Sequence, residues 1–286
     1  MTHSPEFPDT ASPHKRIVLC ADDYAQSAAI SDGILQLVEQ RRLSAVSCFS
    51  EADFWSSADN ALLDYRDQID IGLHFNLTQP FARAVISAKS LNHVMGLAIS
   101  RRIDRQQVTT ALRTQLDRFE SVAKQMPDFV DGHQHVHVLP VIRAIVIDEL
   151  TRRYGDKKPY LRAVNPQLSA PGGFIKLFVL KLLGRGFRQV AQQHGLQTNR
   201  GFAGIYSLQP QEDFGALMQR WLVAADNGDL LMCHPGAHAD NHFSADDFDP
   251  IAATRPGELA FLQSVNFADQ LAQNAIRLSR FRDIQY

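Results

Sequence analysis

Short apolar runs recur along the chain, and stretches at helical spacing lie between them. The first run, Arg16 to Ala21, is rich in β-branched residues and ends on two carboxylates, Asp22 and Asp23. It predicts a buried parallel strand whose C-terminal end opens into a loop. Ile30, Ile34, Leu37 and Val38 follow at helical spacing. Ser44–Ser50, Asp70–Leu77, Asp128–Val136 and Tyr160–Val164 predict the second to fifth strands. Gly201–Leu208 and Asp229–Gly236 predict two more, and Ile276–Ile284 an eighth strand or a closing segment. Gln106–Met126 predicts one of the intervening helices.

This alternation implies a mostly parallel α/β sheet, and seven or eight units favour a barrel over an open sheet. In barrels the chemistry gathers at the C-terminal ends of the strands. Asp22 and Asp23, His74, the histidines after Asp131, Arg162 and His234 all fall at or near such ends. Two segments break the rhythm, about residues 80–105 and 166–199, and are expected to be irregular or lid insertions. The second contains an apolar, basic stretch, residues 174–188. It reads as a core helix, as a lid, or as a surface helix that meets a lipid-linked substrate.

Residues 1–15 are polar and proline-rich, which predicts a disordered tail without a secretory signal. No apolar run approaches the ~20 residues of a membrane span, so a cytoplasmic protein is expected. The 286 residues are 45% hydrophobic and 21% charged, an ordinary composition for a packed domain over residues 16–286. A formal net charge of −2 excludes a densely basic nucleic-acid surface. Cys20, Cys48 and Cys233 lie in apolar runs without paired spacing and read as buried, reduced thiols. A homodimer is the default oligomer.

Asp22 and Asp23 end their strand together, so one is free to bind a metal and the other to act as a base. The alternative is a pair of aspartates capping the next helix. His74 sits in an apolar strand whose polar face it shares with Asn76 and Thr78. In "DGHQHVH", Asp131, His133, His135 and His137 share one side if the chain is extended. Only His133 and His137 do so on a helical turn. Asp/His/His is a common shell for a hydrolytic divalent metal. Asp23, His74 and one histidine of the cluster supply it, leaving Asp22 and His234 for base and acid.

"ADDY" after an apolar strand, "IGLHFNLT", "DGHQHVHVLP" and "MCHPG", in that order, resemble the YdjC-like carbohydrate deacetylases, the ChbG/HpnK group. The usual "ADDFG" stands here as "ADDYA". The resemblance implies a deformed, TIM-like (β/α) barrel of seven to eight strands related to polysaccharide deacetylases. It implies removal of an N-acetyl group from an amino sugar with a divalent metal, Mg2+ or Zn2+. It places the metal on Asp23, His74 and His133, the base on Asp22 and the acid on His234, with Arg162 orienting Asp22. His137 and Asn76 are left as substrate contacts or supports of the site, and His135 has the weakest claim. The substrate is an acetylated amino sugar: a chitooligosaccharide, a simple N-acetyl sugar, or N-acetylglucosamine joined to a lipid. Two other readings stand beside this one. One is an amidohydrolase or phosphoesterase with a second metal on the "HQHVH" run; the other is a non-catalytic sugar-binding protein.

Overall fold

In the computed structural model, residues 14–56, 60–79, 90–165, 181–237 and 249–284 are described. The strand β1 (Lys15–Tyr24) is almost wholly buried, as its unbroken apolar run requires. It is flanked by β2 (Ala45–Cys48) and β7 (Leu230–Cys233). The parallel sheet continues through β3 (Asp70–Phe75), β4 (Phe129–Gly132) and β5 (Tyr160–Leu161) on one side. On the other it continues to β6 (Phe202–Ala203). The strand order is β5-β4-β3-β2-β1-β7-β6.

The two edges of this sheet meet. Leu161 bridges Thr198 in parallel, a few residues before β6. The side-chain amide of Asn199 then accepts from the Ala163 N–H at 2.7 Å and donates to the Ala163 carbonyl at 2.9 Å. One buried amide thus does the work of a strand partner, and the sheet curls into a deformed barrel. At the opposite end of the strands, β8 (Ile276–Leu278) pairs with Lys15–Ile17 of β1. The chain then turns under the barrel. The Phe281 N–H donates to Asp70 at 2.7 Å, and its ring stacks on Tyr160 at 4.1 Å.

Helices cover the outside. Ser27 caps α1 (Ala28–Glu39) by accepting from the Ile30 N–H, so Asp22 and Asp23 are not its cap. Gly33 lets α1 lie against the loop after β7: a Cβ there would stand 2.8 Å from the Ala237 nitrogen. Asp104 caps α3 (Arg105–Ala123), the helix expected over 106–126. The expected irregular segment 80–105 contains a helix, α2 (Leu91–Ile99), capped by Ser90. Residues 80–89, and 166–180 of the second insertion, lie outside the described residues, as does most of the expected tail. Within the remainder of that insertion, Phe187–Gln193 is helical. Among the described residues no helix is long and apolar enough to cross a membrane.

One local expectation fails. The fourth strand stops at Gly132, and His133–Val138 forms a tight helical turn with Gln134 and His135 in the left-handed region, at φ 53° and 61°. The alternating histidines therefore do not share one side. Each faces a different neighbour.

Candidate active site

Asp22 and Asp23 are adjacent, and a regular strand would send them to opposite faces. Here the register shifts between Ala21 and Tyr24, and Asp23 takes φ 73°. Both carboxylates consequently line one cavity of about 430 Å³ at the C-terminal ends of the strands. His74, His133 and His234 line it too.

Asp23, His74 and His133 each offer a ligand atom, all within 4.8 Å of one another. His74 Nε2 lies 3.4 Å and His133 Nδ1 3.2 Å from Asp23 Oδ1, a buried oxygen with no hydrogen-bond partner. A buried carboxylate oxygen without a donor is costly, and two imidazole nitrogens facing it are the partners a cation needs. These residues fit a divalent metal. Behind them, Asp131 Oδ1 lies 2.7 Å from His74 Nδ1 and accepts from the Ser47 hydroxyl at 2.6 Å. That contact fixes which imidazole nitrogen faces Asp23. Burial works against charge on His74, but Asp131, Asp23 and Asp22 outweigh it and push the imidazole up to about 10. Burial pushes His133 down, opposed by Asp23. Phe49 packs edge-on against both rings, with centroids at 4.9 and 5.2 Å.

Asp22 is held from below. Arg162, fully buried on the segment after β5, donates to Asp22 Oδ2 at 2.6 Å and Oδ1 at 2.7 Å. Its Nη2 also reaches the Cys20 sulfur at 2.9 Å and Asp131 Oδ2 at 2.6 Å. Burial pushes the Asp22 carboxyl up, but the Arg162 charge and hydrogen bonds win and hold it well below the usual range. Asp22 is thus anionic at neutral pH, the form a base needs. Cys20, Asp22 and Asp131 also converge closely enough for a metal, but the Arg162 guanidinium already bridges all three.

Two arms of the site were not expected from the sequence. Arg255 donates to Asp23 Oδ2 at 2.8 Å and to Asp249 at 2.5 Å. It begins the helix Arg255–Gln263, on which it is buried. Burial opposes the ionised form of Asp23, and Arg255 is the first of the groups that hold it well below its usual range. Glu258 accepts from the His234 N–H at 2.6 Å.

The remaining expected residues act behind the cavity. His137 is fully buried, outside the cavity lining, and donates Nε2–H to the Arg162 carbonyl at 2.8 Å. Burial pushes it down to about 4, which keeps it neutral. Asn76 is buried as well: its Oδ1 accepts from the Thr78 and Gln79 N–H groups, both at 2.9 Å. That turn delivers the Gln79 amide to within 3.2 Å of His133 Nε2. His135, the histidine with the weakest claim, lines the cavity.

Apart from Gln134, the rest of the wall is apolar. Leu91 and Met95 of α2, Val138 and Leu139, Leu183, Leu208, Pro250 and Ile251 surround the polar floor, and no Phe, Tyr or Trp is among the described lining residues.

The mouse carbohydrate deacetylase is 28% identical over 96% of this chain and 96% of its own. A chitooligosaccharide deacetylase of Yersinia pestis bv. Antiqua (strain Angola) is 26% identical over 94% of this chain and 99% of its own. The crystal structure of a proposed cellobiose-phosphate cleavage protein from Enterococcus faecalis V583 superposes with a TM-score of 0.68 at 16% identity. It covers 94% of this chain and 98% of its own, and so shares the fold. The profile of the YdjC-like proteins matches residues 16–273, and the chain belongs to that family.

Proposed function

We propose that the protein is a metal-dependent carbohydrate N-deacetylase that hydrolyses the acetamide of an amino sugar to amine and acetate. The observation that carries this reading is the convergence of three functions on one cavity floor. These are a ligand set at Asp23, His74 and His133, an anionic Asp22 clamped by Arg162, and His234. The deacetylase names of the relatives support it.

A divalent cation on the ligand set supplies Lewis acidity towards the acetyl carbonyl and the attacking water. Two imidazoles and one carboxylate suit zinc or a similar borderline cation better than magnesium, which prefers oxygen ligands. Asp22 accepts a proton from the water as the C–O bond forms. His234 gives a proton to the sugar nitrogen as the C–N bond breaks, and acetate leaves. The two-metal reading loses support, because the second acidic cluster binds a guanidinium and His137 is turned to a backbone carbonyl.

The substrate we favour carries an apolar group next to the acetylated sugar. Buried sugar hydroxyls need polar partners, whereas the upper wall offers Leu91, Met95, Leu183, Leu208 and Ile251. Leu183 belongs to the apolar, basic stretch of the sequence, of which residues 174–180 lie outside the described residues. We keep the cytoplasm as the place of the reaction.

The test is acetate release from N-acetylglucosamine, chitobiose and dodecyl N-acetylglucosaminide, with chelator and with added zinc or magnesium. Metal-dependent release, fastest from the dodecyl glycoside, is the expected result. No release from any acetylated sugar would reject the activity. Faster release from chitobiose would reject the apolar group alone.

A further inference from the structure

Arg255 and Glu258 stand three residues apart on the helix Arg255–Gln263, one turn apart on the same face. Arg255 grips Asp23, and Glu258 grips His234. One rigid turn therefore touches both sides of the floor. Glu258 is 1% exposed. Its Oε2 accepts from the His234 N–H at 2.6 Å, and its Oε1 accepts from the Tyr206 hydroxyl at 2.5 Å. The same Oε1 lies 4.0 Å from His234 Nδ1, a buried nitrogen with no hydrogen-bond partner. That is a small side-chain rotation from a hydrogen bond, and such contacts often tighten only when substrate is bound.

We propose that Glu258 is the positioning residue for His234, fixing its backbone through the N–H and holding a negative charge beside Nδ1. The opposite edge of the imidazole is then left for the cavity, with Nε2 as the proton donor. Tyr206 supports this by donating to the carboxylate. The proposal rests on the acid role given to His234 above. Among the described residues, the other ionisable groups acting on His234 are few. Asp22 acts across the cavity, Arg255 reaches the His234 carbonyl at 3.4 Å, and Cys233 precedes it on β7. None of these places an acceptor at Nδ1.

The variants are Glu258→Gln, Glu258→Asp and Tyr206→Phe in the full chain loaded with metal. Glu258→Gln, which removes a carboxylate beside the ring, is expected to move the titration of the His234 imidazole nitrogens, read by NMR, to lower pH. It is expected to reduce kcat about tenfold or more, with KM nearly unchanged and the alkaline limb of the rate profile moved to lower pH. Glu258→Asp restores part of the rate, and Tyr206→Phe shows a smaller shift of the same sign. If Glu258→Gln does not fold, the other two variants carry the comparison. A His234 midpoint and alkaline limb unmoved in the folded variants would overturn the proposal. A wild-type protein that releases no acetate would instead defeat the functional reading, and the NMR titration would still judge Glu258.

Discussion

Arg162 holds Asp22 through both terminal nitrogens, at 2.6 and 2.7 Å, with no exposed surface on the arginine. The fork fixes the orientation of the carboxylate as well as its charge. Asp22→Asn is expected to keep its metal content and lose ~10²- to 10⁴-fold in turnover, the range for a general base. Arg162→Lys replaces a fork with a point charge and should fall in the same direction with metal retained. Metal analysis alongside acetate release checks both. A fully active Asp22→Asn would remove Asp22 from its role.

His133 offers Nδ1 to Asp23 from the turn after β4. His133→Ala takes away one of the three proposed ligands, so metal and activity should be lost together. Wild-type protein should bind about one equivalent of zinc, because Asp23 Oδ1 is left without a hydrogen-bond donor between two imidazoles, whereas Arg162 already bridges the second cluster. Elemental analysis after dialysis measures this. Two tightly held ions per chain would revive the two-metal reading.

Ala25 is fully buried at φ 74°, where the family's usual pattern has glycine. The left-handed region costs an L-residue ~1–2 kcal/mol. Glycine returns ~0.4–1 kcal/mol of that through its freer unfolded chain. Ala25→Gly should therefore stabilise the protein by roughly 0.5 kcal/mol. The measurement is the urea midpoint, and a lower midpoint for the glycine variant would contradict it.

Asp70 opens β3 and accepts from the Phe281 N–H and from Arg282. Burial, with Asp128 adding to it, pushes its carboxyl up to about 7. Between about pH 4 and this value the folded protein keeps a proton that the unfolded chain has released. That contribution to stability is present below pH 4 and lost as pH rises to about 7. Asp70→Asn cannot lose it. The variant should gain on wild type steadily from pH 4 to 7 and no further above. Parallel unfolding midpoints across that range would rule the assignment out.

Apolar runs announced the strands because a parallel strand buried on both faces must be apolar throughout. They also announced Asp22, Asp23, His74 and His234, whose polarity is abrupt at or near the end of such runs. The turn at His133–Val138 was illegible for the opposite reason. Its alternating pattern is that of a strand, and Gln134, which enters the left-handed region first, is not a residue type that signals it. Arg255 and Glu258 carried no signal, since a charged residue on a helix gives no sign of which way it is turned. Asp131 did carry one, sharing its strand's face with the histidine region, but its place behind the ligands emerges only from packing. Asn199 closes the barrel from a loop that no periodicity marks.

Asp131 lies against His74 Nδ1 with one oxygen and Arg162 Nη2 with the other. A proposed ligand of the cation and the clamp on the proposed base therefore lean on the same carboxylate. An engineer who alters Asp131 to change metal preference would misalign the proton acceptor by the same stroke. Selectivity for the ion and competence in proton transfer cannot be tuned separately at this position, so redesign of either has to begin at Arg255, Gln79 or the wall.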